Sequence, residues 1–245
     1  MASVSGYIDL HSHWLPGIDD GAPNVAEGVA MLKALGEIGF AKVVATPHMR
    51  TGMFDNERGQ LERAFAAMRV ELLRHPGLPE VSLASEHHLD DLVFDQLVKG
   101  QGLPYEPART AALIELPTDY FPLRYRERLF ELRVKRLRPV LAHPERYRPV
   151  WKDPELVEPL LDGGTILLLD VCALTGKYGR APKKAALTML EAGYYYAACS
   201  DAHRANDVAE VGRAVQELYR VMGQEEADFL LIEGPRNILE GRVSD

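Results

Sequence analysis

The feature that most constrains this chain is a repeated pattern in which a short apolar run of strand character ends in a histidine or a carboxylate. Segments with apolar residues at helical spacing separate these runs, and strands that alternate with helices form parallel sheets. Because the carboxyl ends of parallel strands meet on one face, we expect the polar endings to lie together there. The endings are Leu10-His11-Ser12-His13, Thr46-Pro47-His48, Ser85-Glu86, Ile114-Glu115, Ala142-His143 and Ser200-Asp201-Ala202-His203.

The same alternation predicts the fold class. Seven strand-like runs can be counted, which favours an α/β fold built as a distorted TIM-like (β/α)7 barrel with its site at the C-terminal face. A doubly wound open sheet is the alternative, but it would concentrate the site at one switch point instead of drawing residues from so many strands. At 245 residues, with no stretch of linker composition, the chain is predicted to form a single domain over residues 1–245.

Composition excludes several classes of protein. The 28 basic and 36 acidic residues give a net charge of −8, which disfavours nucleic acid or an anionic membrane as a general partner. The N-terminus lacks the basic and apolar regions of a signal peptide, and no run approaches the ~20 apolar residues of a membrane span. We therefore expect a cytoplasmic protein without membrane insertion. Cys172 and Cys199 lie in apolar sequence and are expected to be reduced core thiols.

The first strand ending points to a metal site. His11 and His13 lie two residues apart on a predicted strand, so their imidazoles leave the same face and can bind one ion. Asp20 offers an oxygen ligand a short loop later. Two histidines at this spacing are also compatible with an ordinary surface pair, and the other strand endings are what favour the metal interpretation.

Further motifs accompany these endings. They are Asp9-Leu10-His11-Ser12-His13, Leu15-Pro16-Gly17-Ile18-Asp19-Asp20-Gly21, Ala45-Thr46-Pro47-His48, Leu116-Pro117 after Glu115, Ala142-His143-Pro144-Glu145-Arg146-Tyr147 and Ser200-Asp201-Ala202-His203. In this order, and over nearly the whole chain, they resemble the PHP (polymerase and histidinol phosphatase) superfamily, specifically the bacterial capsular and exopolysaccharide tyrosine-protein phosphatases of the CpsB/YwqE type. The resemblance implies the PHP fold.

The resemblance also implies a centre of three divalent metal ions, with manganese as the first expectation and iron or zinc as alternatives. The implied ligands are His11, His13, Asp20, His48, Glu86, Glu115, His143, Asp201 and His203. All nine positions hold residue types that bind metals, and nine ligands are too many for one ion but suit three if some carboxylates bridge. The chain departs from the family at Ser85, where glycine is usual, and at Arg204, which directly follows His203 instead of lying several residues beyond it.

The implied activity is that of a metal-dependent protein-tyrosine phosphatase, which hydrolyses phosphotyrosine by in-line attack of a metal-bound hydroxide. The implied partner is a bacterial tyrosine kinase that controls capsular or exopolysaccharide synthesis and export. A cysteine-based phosphatase needs an arginine six residues after its cysteine, but Tyr178 and Ala205 occupy those positions here. The spacing therefore excludes a cysteine nucleophile.

Three other residues receive roles. Arg146 is predicted to be catalytic and substrate-binding, because a guanidinium can fork onto two phosphate oxygens, although an ion pair with an acid at the rim is the alternative. Arg204 is the second candidate for binding the phosphate. Asp9 is predicted to orient a histidine from outside the metal shell; a buried carboxylate satisfied by the backbone is the alternative.

Two other functions stay open at this point. One is a small-molecule phosphoesterase of the histidinol-phosphatase type, built on the same metals. The other is a non-catalytic metal-binding module, which the complete set of nine ligands disfavours. His87 and His88 are expected to begin a helix, with at least one of them pointing away from the metals. The sequence leaves the oligomeric state undetermined.

Overall fold

Nine strands and nine α-helices lie within residues 6–243, the part of the chain that this computed structural model describes. The strands are β1 (Tyr7–Ser12), β2 (Phe40–Ala45), β3 (His48–Met49), β4 (Glu80–Leu83), β5 (Glu86–His88), β6 (Ala111–Glu115), β7 (Arg138–Ala142), β8 (Ile166–Asp170) and β9 (Tyr195–Cys199). The helices are α1 (Val25–Glu37), α2 (Arg58–Leu72), α3 (Asp91–Val98), α4 (Tyr125–Val134), α5 (Arg148–Lys152), α6 (Glu158–Asp162), α7 (Arg180–Glu191), α8 (Val208–Asp228) and α9 (Gly234–Glu240).

The strands form two parallel sheets that are hydrogen-bonded to each other. One sheet has the order β1-β2-β4 and the other the order β3-β5-β6-β7-β8-β9. Ser12, at the end of β1, forms a parallel bridge with Ala202, just beyond β9. At the other junction the amide of Glu86 donates to the carbonyl of Pro47 over 3.2 Å. The arrangement is a mixed α/β fold with the ends of all the strands on a common face.

Two predicted strands are interrupted, so the structure has nine strands instead of seven. The chain between β2 and β3 passes through Pro47, which has no N–H to donate to a neighbouring strand. The next predicted strand divides into β4 and β5, and the amide of Ser85 between them donates to Leu103 over 3.0 Å. The predicted helix start at His87 was wrong, because His87 and His88 belong to β5 and Asp90 caps α3 by accepting from Val93.

An apolar cluster fills the interior beneath the strand ends. Alternate residues of the strands point into it, among them Leu10, Leu113 and Leu168, all fully buried. Ile238 and Leu239 of α9 also belong to this cluster and close it from below. A larger apolar cluster lies between the strands and the surrounding helices.

Two further findings bear on the expectations from composition. Cys172 and Cys199 are both buried and free, as predicted for core thiols, and burial raises the pKa of each. Among the helices of residues 6–243, none combines the length and the apolar character that a bilayer span requires.

Candidate metal centre

The two histidines of the first strand meet two carboxylates at close range. His11 Nε2 lies 3.1 Å from His13 Nε2, 3.2 Å from Glu86 Oε2 and 3.3 Å from Asp201 Oδ1. His13 Nε2 lies 3.5 Å and 3.4 Å from the same two oxygens. Ligands about 2.1 Å from one ion, at angles of about 90–110°, are themselves about 3.0–3.5 Å apart. The Nε2 atoms of the two histidines and Asp201 Oδ1 are therefore spaced as the ligands of a single ion would be.

Four such groups overlap at the strand ends. In each group, one potential ligand atom per residue lies within 4.8 Å of the others. The groups are His13, Asp20, His48 and His203; His11, Glu86 and His143; His11, His13 and Asp201; and His48, Glu86 and Glu115. The structure thus brings all nine predicted ligands into one cluster. Because several residues are shared between groups, the cluster has the form expected of neighbouring ions with bridging ligands.

Charge pairing in the cluster outweighs burial. Burial alone would lower the pKa of His11, yet the carboxylates of Glu86 and Asp201 raise it to about 9. Burial opposes a rise at His48 and His203 as well, but nearby carboxylates raise their pKa values to about 11 and about 9. The same pairing lowers the pKa of Glu86 and of Asp201, although burial alone would raise both. The cluster therefore holds ionised carboxylates that need cations beside them.

Asp19, which the sequence did not single out, orients one of the predicted ligands. Its Oδ2 lies 2.8 Å from His13 Nδ1 and accepts from the amide of His48 over 3.1 Å. Its Oδ1 accepts from the amide of Gly21 over 2.9 Å. A carboxylate on the outer nitrogen of a ligating imidazole fixes its tautomer and ring direction. Asp19 thus has the role that the sequence assigned to Asp9.

Asp9 instead joins the first and last strands. Its Oδ1 accepts from the amides of Ser200, over 3.0 Å, and of His11, over 3.3 Å, while Ser200 Oγ donates to its Oδ2 over 2.5 Å. It binds the backbone of His11 and not the imidazole ring. The bond to the His11 amide is compatible with the predicted role of orienting a histidine, which stays a prediction, and the backbone donors also agree with the alternative of a buried carboxylate satisfied by the backbone. Burial raises its pKa to about 6.

Arg146 lies beside the cluster. Its Nη1 donates to Asp201 Oδ2 and is 3.8 Å from Asp170 Oδ2, and its guanidinium lies 4.7 Å from the ring centre of Tyr178. The ion pair that the sequence left as an alternative is present, but its partner is a predicted metal ligand. Arg146 is therefore held at the edge of the metal cluster, with a quarter of its side chain exposed.

Asp170 is a second residue that the sequence analysis missed. It ends β8, is fully buried, and accepts from the amide of Cys172 over 2.9 Å through Oδ1. Its Oδ2 lies 3.8 Å from Arg146 Nη1, so the carboxyl group faces the guanidinium. Every other site strand was recognised by a polar residue at its end. The pair Leu169-Asp170 carries the same signal and could have been found in the same way.

Glu145 fixes the turn that carries Arg146. Its Oε1 accepts from the amide of Asp170 over 3.0 Å, and its Oε2 accepts from the hydroxyl of Tyr195 over 2.8 Å. Burial, with a smaller contribution from the Asp170 carboxylate, raises its pKa to about 8. The short turn Pro144–Arg146 is thereby tied to β8 and β9, which sets the direction of Arg146.

The guanidinium of Arg204 is occupied by backbone carbonyl groups. Its Nη1 donates to the carbonyls of Asp20, over 2.7 Å, and His203, over 2.8 Å, and also to the carbonyl of Gly21. A Cβ at Gly21 would lie 2.0 Å from the carbonyl oxygen of His13, so only glycine lets this loop pack so closely against His13. Arg204 thus stabilises the loop that carries Asp20.

The two histidines after Glu86 point in different directions. One of them, His87, points away from the cluster, as predicted: its Nδ1 is 2.8 Å from the carbonyl of Leu113, and burial lowers its pKa to about 4. His88 Nδ1 lies 2.9 Å from Glu115 Oε2. His88 therefore supports a predicted ligand from outside the four groups.

Comparisons with known proteins agree on one family. The sequence pattern of the family described as capsular polysaccharide synthesis, CpsB/CapC, matches residues 7–240. The tyrosine-protein phosphatase YwqE of Bacillus subtilis is 31% identical over 240 residues, which cover 96% of this chain and 92% of that protein.

Solved structures give the same result. A crystal structure from a study of YwqE of Bacillus subtilis and CpsB of Streptococcus pneumoniae, described as unique metal-dependent tyrosine phosphatases, superposes with a TM-score of 0.87 at 29% identity. It covers 97% of this chain and 96% of its own. An organophosphorus hydrolase from Deinococcus radiodurans covers 97% of this chain and 93% of its own, with a TM-score of 0.58 at 14% identity, and so shares the fold alone.

Proposed function

The chain belongs to the CpsB/CapC family of capsular polysaccharide synthesis, and from this premise we propose that it is a metal-dependent protein-tyrosine phosphatase that hydrolyses phosphotyrosine. The observation that carries the proposal is the cluster of nine histidine and carboxylate side chains at the strand ends. Relatives that cover nearly the whole chain bear the name of this activity.

We propose that the cluster holds three divalent ions, with Mn²⁺ as the first candidate and iron or zinc as alternatives. The four overlapping groups of ligand atoms support more than one ion. A mixture of imidazole and carboxylate ligands suits Mn²⁺, iron and zinc, whereas Mg²⁺ and Ca²⁺ prefer oxygen alone. When bound, such ions would supply a water nucleophile of lowered pKa and would neutralise charge on the phosphate.

The residues around the cluster hold and orient the substrate. Arg146 uses Nη1 to bond Asp201, so its Nε and Nη2 donors are left for two phosphate oxygens. Tyr178 lies against the guanidinium and Asp170 lies behind it, which limits its movement. Asp19 and His88 fix the rings and carboxylates of ligands without themselves belonging to the four groups.

The physiological substrate that we propose is phosphotyrosine on a bacterial tyrosine kinase that controls the synthesis and export of surface polysaccharide. The description of the family as one of capsular polysaccharide synthesis supports this assignment. The net charge of −8 disfavours nucleic acid as a partner.

We also propose that the two sheets close into one TIM-like barrel of seven strand positions, with β2 continued by β3 and β4 by β5. Supporting contacts are the amide of Asp201 donating to His11 over 3.0 Å and the amide of His13 donating to Ala202 over 2.9 Å. If the barrel is closed, these two amides should exchange with solvent as slowly as amides inside β6 and β7. Fast exchange at both would indicate an open sheet.

The function is tested by assaying a phosphotyrosine peptide and histidinol phosphate in parallel. The protein is first stripped with a chelator and then supplied with Mn²⁺, Zn²⁺, Fe²⁺ or Mg²⁺. We expect turnover of the peptide to be lost on chelation, and we expect Mn²⁺ to restore it more fully than the other three ions. Faster turnover of histidinol phosphate would instead support the small-molecule phosphoesterase, and no turnover of either would support a non-catalytic metal-binding module.

A further inference from the structure

A loop beside the metal cluster exposes apolar side chains that nothing in the described chain covers. It runs over residues 116–124, directly after the predicted ligand Glu115. Tyr120 is 61% exposed and Leu123 is 91% exposed. Exposed large apolar side chains next to a functional site commonly mark an interaction surface. We call Tyr120, Leu123, Arg124 and Arg126 the substrate rim.

The base of this loop is firmly packed, so the exposure of Tyr120 and Leu123 does not come from a loose segment. The ring of Phe121, between them, stacks on Tyr125 with centroids 4.7 Å apart and meets the ring of Tyr147 edge-on at 5.9 Å. The hydroxyl of Tyr147 accepts from the amide of Leu116 over 3.0 Å. The backbone of the loop is therefore anchored at Leu116 and Phe121, while Tyr120 and Leu123 face solvent.

The substrate rim is within reach of a peptide bound at the metal cluster. The rings of His143 and Tyr147 are 5.9 Å apart, and Tyr147 and Phe121 are separated by another 5.9 Å. Three extended peptide residues span about 10 Å. A peptide segment only a few residues long is therefore enough to extend from the cluster to the loop that carries Tyr120 and Leu123.

Charge on the substrate rim selects among peptides. Arg128 pairs with Asp91, and Arg148 pairs with Asp119. Arg126, in contrast, donates only to the hydroxyl of Tyr125, and neither Arg124 nor Arg126 has a carboxylate partner within residues 6–243. On a chain with a net charge of −8, unpaired arginines at this place favour acidic side chains in the ligand.

We propose that the substrate rim binds the polypeptide that flanks the phosphotyrosine. Tyr120 and Leu123 contact an apolar or aromatic side chain of the substrate, and Arg124 and Arg126 attract acidic ones. The occupant is thus an extended, acidic peptide segment with apolar side chains. This inference rests on the proposed phosphatase function and specifies its substrate. A small aryl phosphate has no flanking residues, so the substrate rim should contribute nothing to its turnover.

The experiment compares two substrates on one variant. The double variant Tyr120→Ser, Leu123→Ser removes the apolar surface without touching the cluster. We expect kcat/KM for a phosphotyrosine peptide with apolar and acidic flanks to fall by about 10- to 100-fold, mostly through KM, because two buried contacts are lost. Turnover of p-nitrophenyl phosphate should stay within about twofold of the wild type, since it uses only the metal site.

A matched control lies at the end of α2, where Val70 and, one residue beyond the helix, Leu73 are 57% and 84% exposed but belong to another surface. Val70→Ser, Leu73→Ser should leave both substrates unaffected. Arg124→Glu, Arg126→Glu should weaken an acidic peptide more than a neutral one. The proposed role of the substrate rim would be contradicted if the Tyr120→Ser, Leu123→Ser variant lost equal activity on the peptide and on p-nitrophenyl phosphate. Wild-type kinetics of that variant on the peptide would contradict it as well. A wild-type protein that hydrolyses p-nitrophenyl phosphate but no phosphotyrosine peptide would overturn the proposed function itself, and the rim with it.

Discussion

The two ends of the same strands differ in almost every physical respect. Leu10 and Leu168 point into an interior that is apolar and closed from below by α9. His11, which directly follows Leu10, and Asp201, just beyond β9, lie instead among imidazoles and carboxylates whose contacts are set by charge. The interior gains free energy from burial, whereas the strand ends hold polar groups at separations that favour a bound cation. The difference predicts that stability and activity can be changed separately.

The largest effect is expected at the strand ends. His143→Ala removes a predicted ligand at the end of β7 and should lower phosphotyrosine turnover by about 1,000-fold or more, because one ion is lost or displaced. The melting temperature should change little, since few apolar contacts are removed. Parallel kinetics and thermal unfolding check this. Equal losses of activity and stability would show that the metal at this position is structural.

The converse substitution lies in the interior. Leu168→Ala opens a cavity in the apolar cluster and should reduce the free energy of unfolding by about 2–5 kcal/mol. The protein that remains folded should keep its metal content and its kcat. Leu92→Ala is the control, because Leu92 is largely exposed. A Leu168→Ala variant of normal stability that loses its metals would contradict the separation of the two ends.

Arg146 tests how the strand ends hold phosphate. Arg146→Lys keeps the positive charge but loses the planar fork, so kcat/KM should fall by about 30- to 1,000-fold at unchanged metal content. Arg148→Lys, at an exposed ion pair with Asp119, is the matched control and should be silent. Near-wild-type kinetics in Arg146→Lys would mean that Arg146 only forms an ion pair at the rim and that another cation binds the phosphate.

A smaller effect is expected behind Arg146. Asp170→Asn keeps the oxygen that accepts from Cys172 but removes the buried charge beside the guanidinium. We expect KM and the inhibition constant of inorganic phosphate to rise by about 3- to 10-fold, with kcat less affected and stability unchanged or higher. Asp95→Asn at an exposed pair with Lys99 serves as the control. A loss of stability with normal phosphate affinity would assign Asp170 a purely structural role.

Proton release is the subtlest expected effect. In the metal-free protein His11 and His203, with pKa values raised to about 9, and His48, raised to about 11, are protonated at pH 7. Metals bind neutral imidazole, so loading should release protons, and the apparent affinity should increase from pH 6 to pH 9.

The raised pKa values of these histidines also make the stability of the metal-free protein depend on pH. Because the folded pKa values lie above the unfolded value of about 6.5, these charges stabilise the metal-free fold fully below pH 6.5. That contribution is lost as the pH rises through about 9 for His11 and His203 and through about 11 for His48. Calorimetry of Mn²⁺ binding in two buffers of different ionisation enthalpy measures how many protons are released when the metal binds. A heat that is independent of the buffer would contradict the prediction.

The sequence was sufficient to find the residues that end strands. His48, Glu115 and His143 each follow a run of apolar residues, and this local signal places them on one face without any knowledge of distances. Local signals failed where the contact is set by the fold. Asp19 acts on His13 through a loop, and the direction of Arg204 depends on the backbone of Gly21, which lies far away in the sequence.

The errors in the elements have equally physical causes. β5 has only three residues, which is too short for an alternating pattern to distinguish a strand from the start of a helix. The break at Pro47 was visible as a strand end, but the sequence does not show that the chain resumes pairing at His48. Asp170 was overlooked although it obeys the same rule as the recognised residues.

We propose that the nine side chains at the strand ends hold a centre of three ions. This claim is tested most directly by counting metal equivalents per chain while Mn²⁺ is titrated into stripped protein and phosphotyrosine turnover is recorded. We predict that turnover reaches its plateau at three equivalents. A plateau at two equivalents or fewer would contradict the claim.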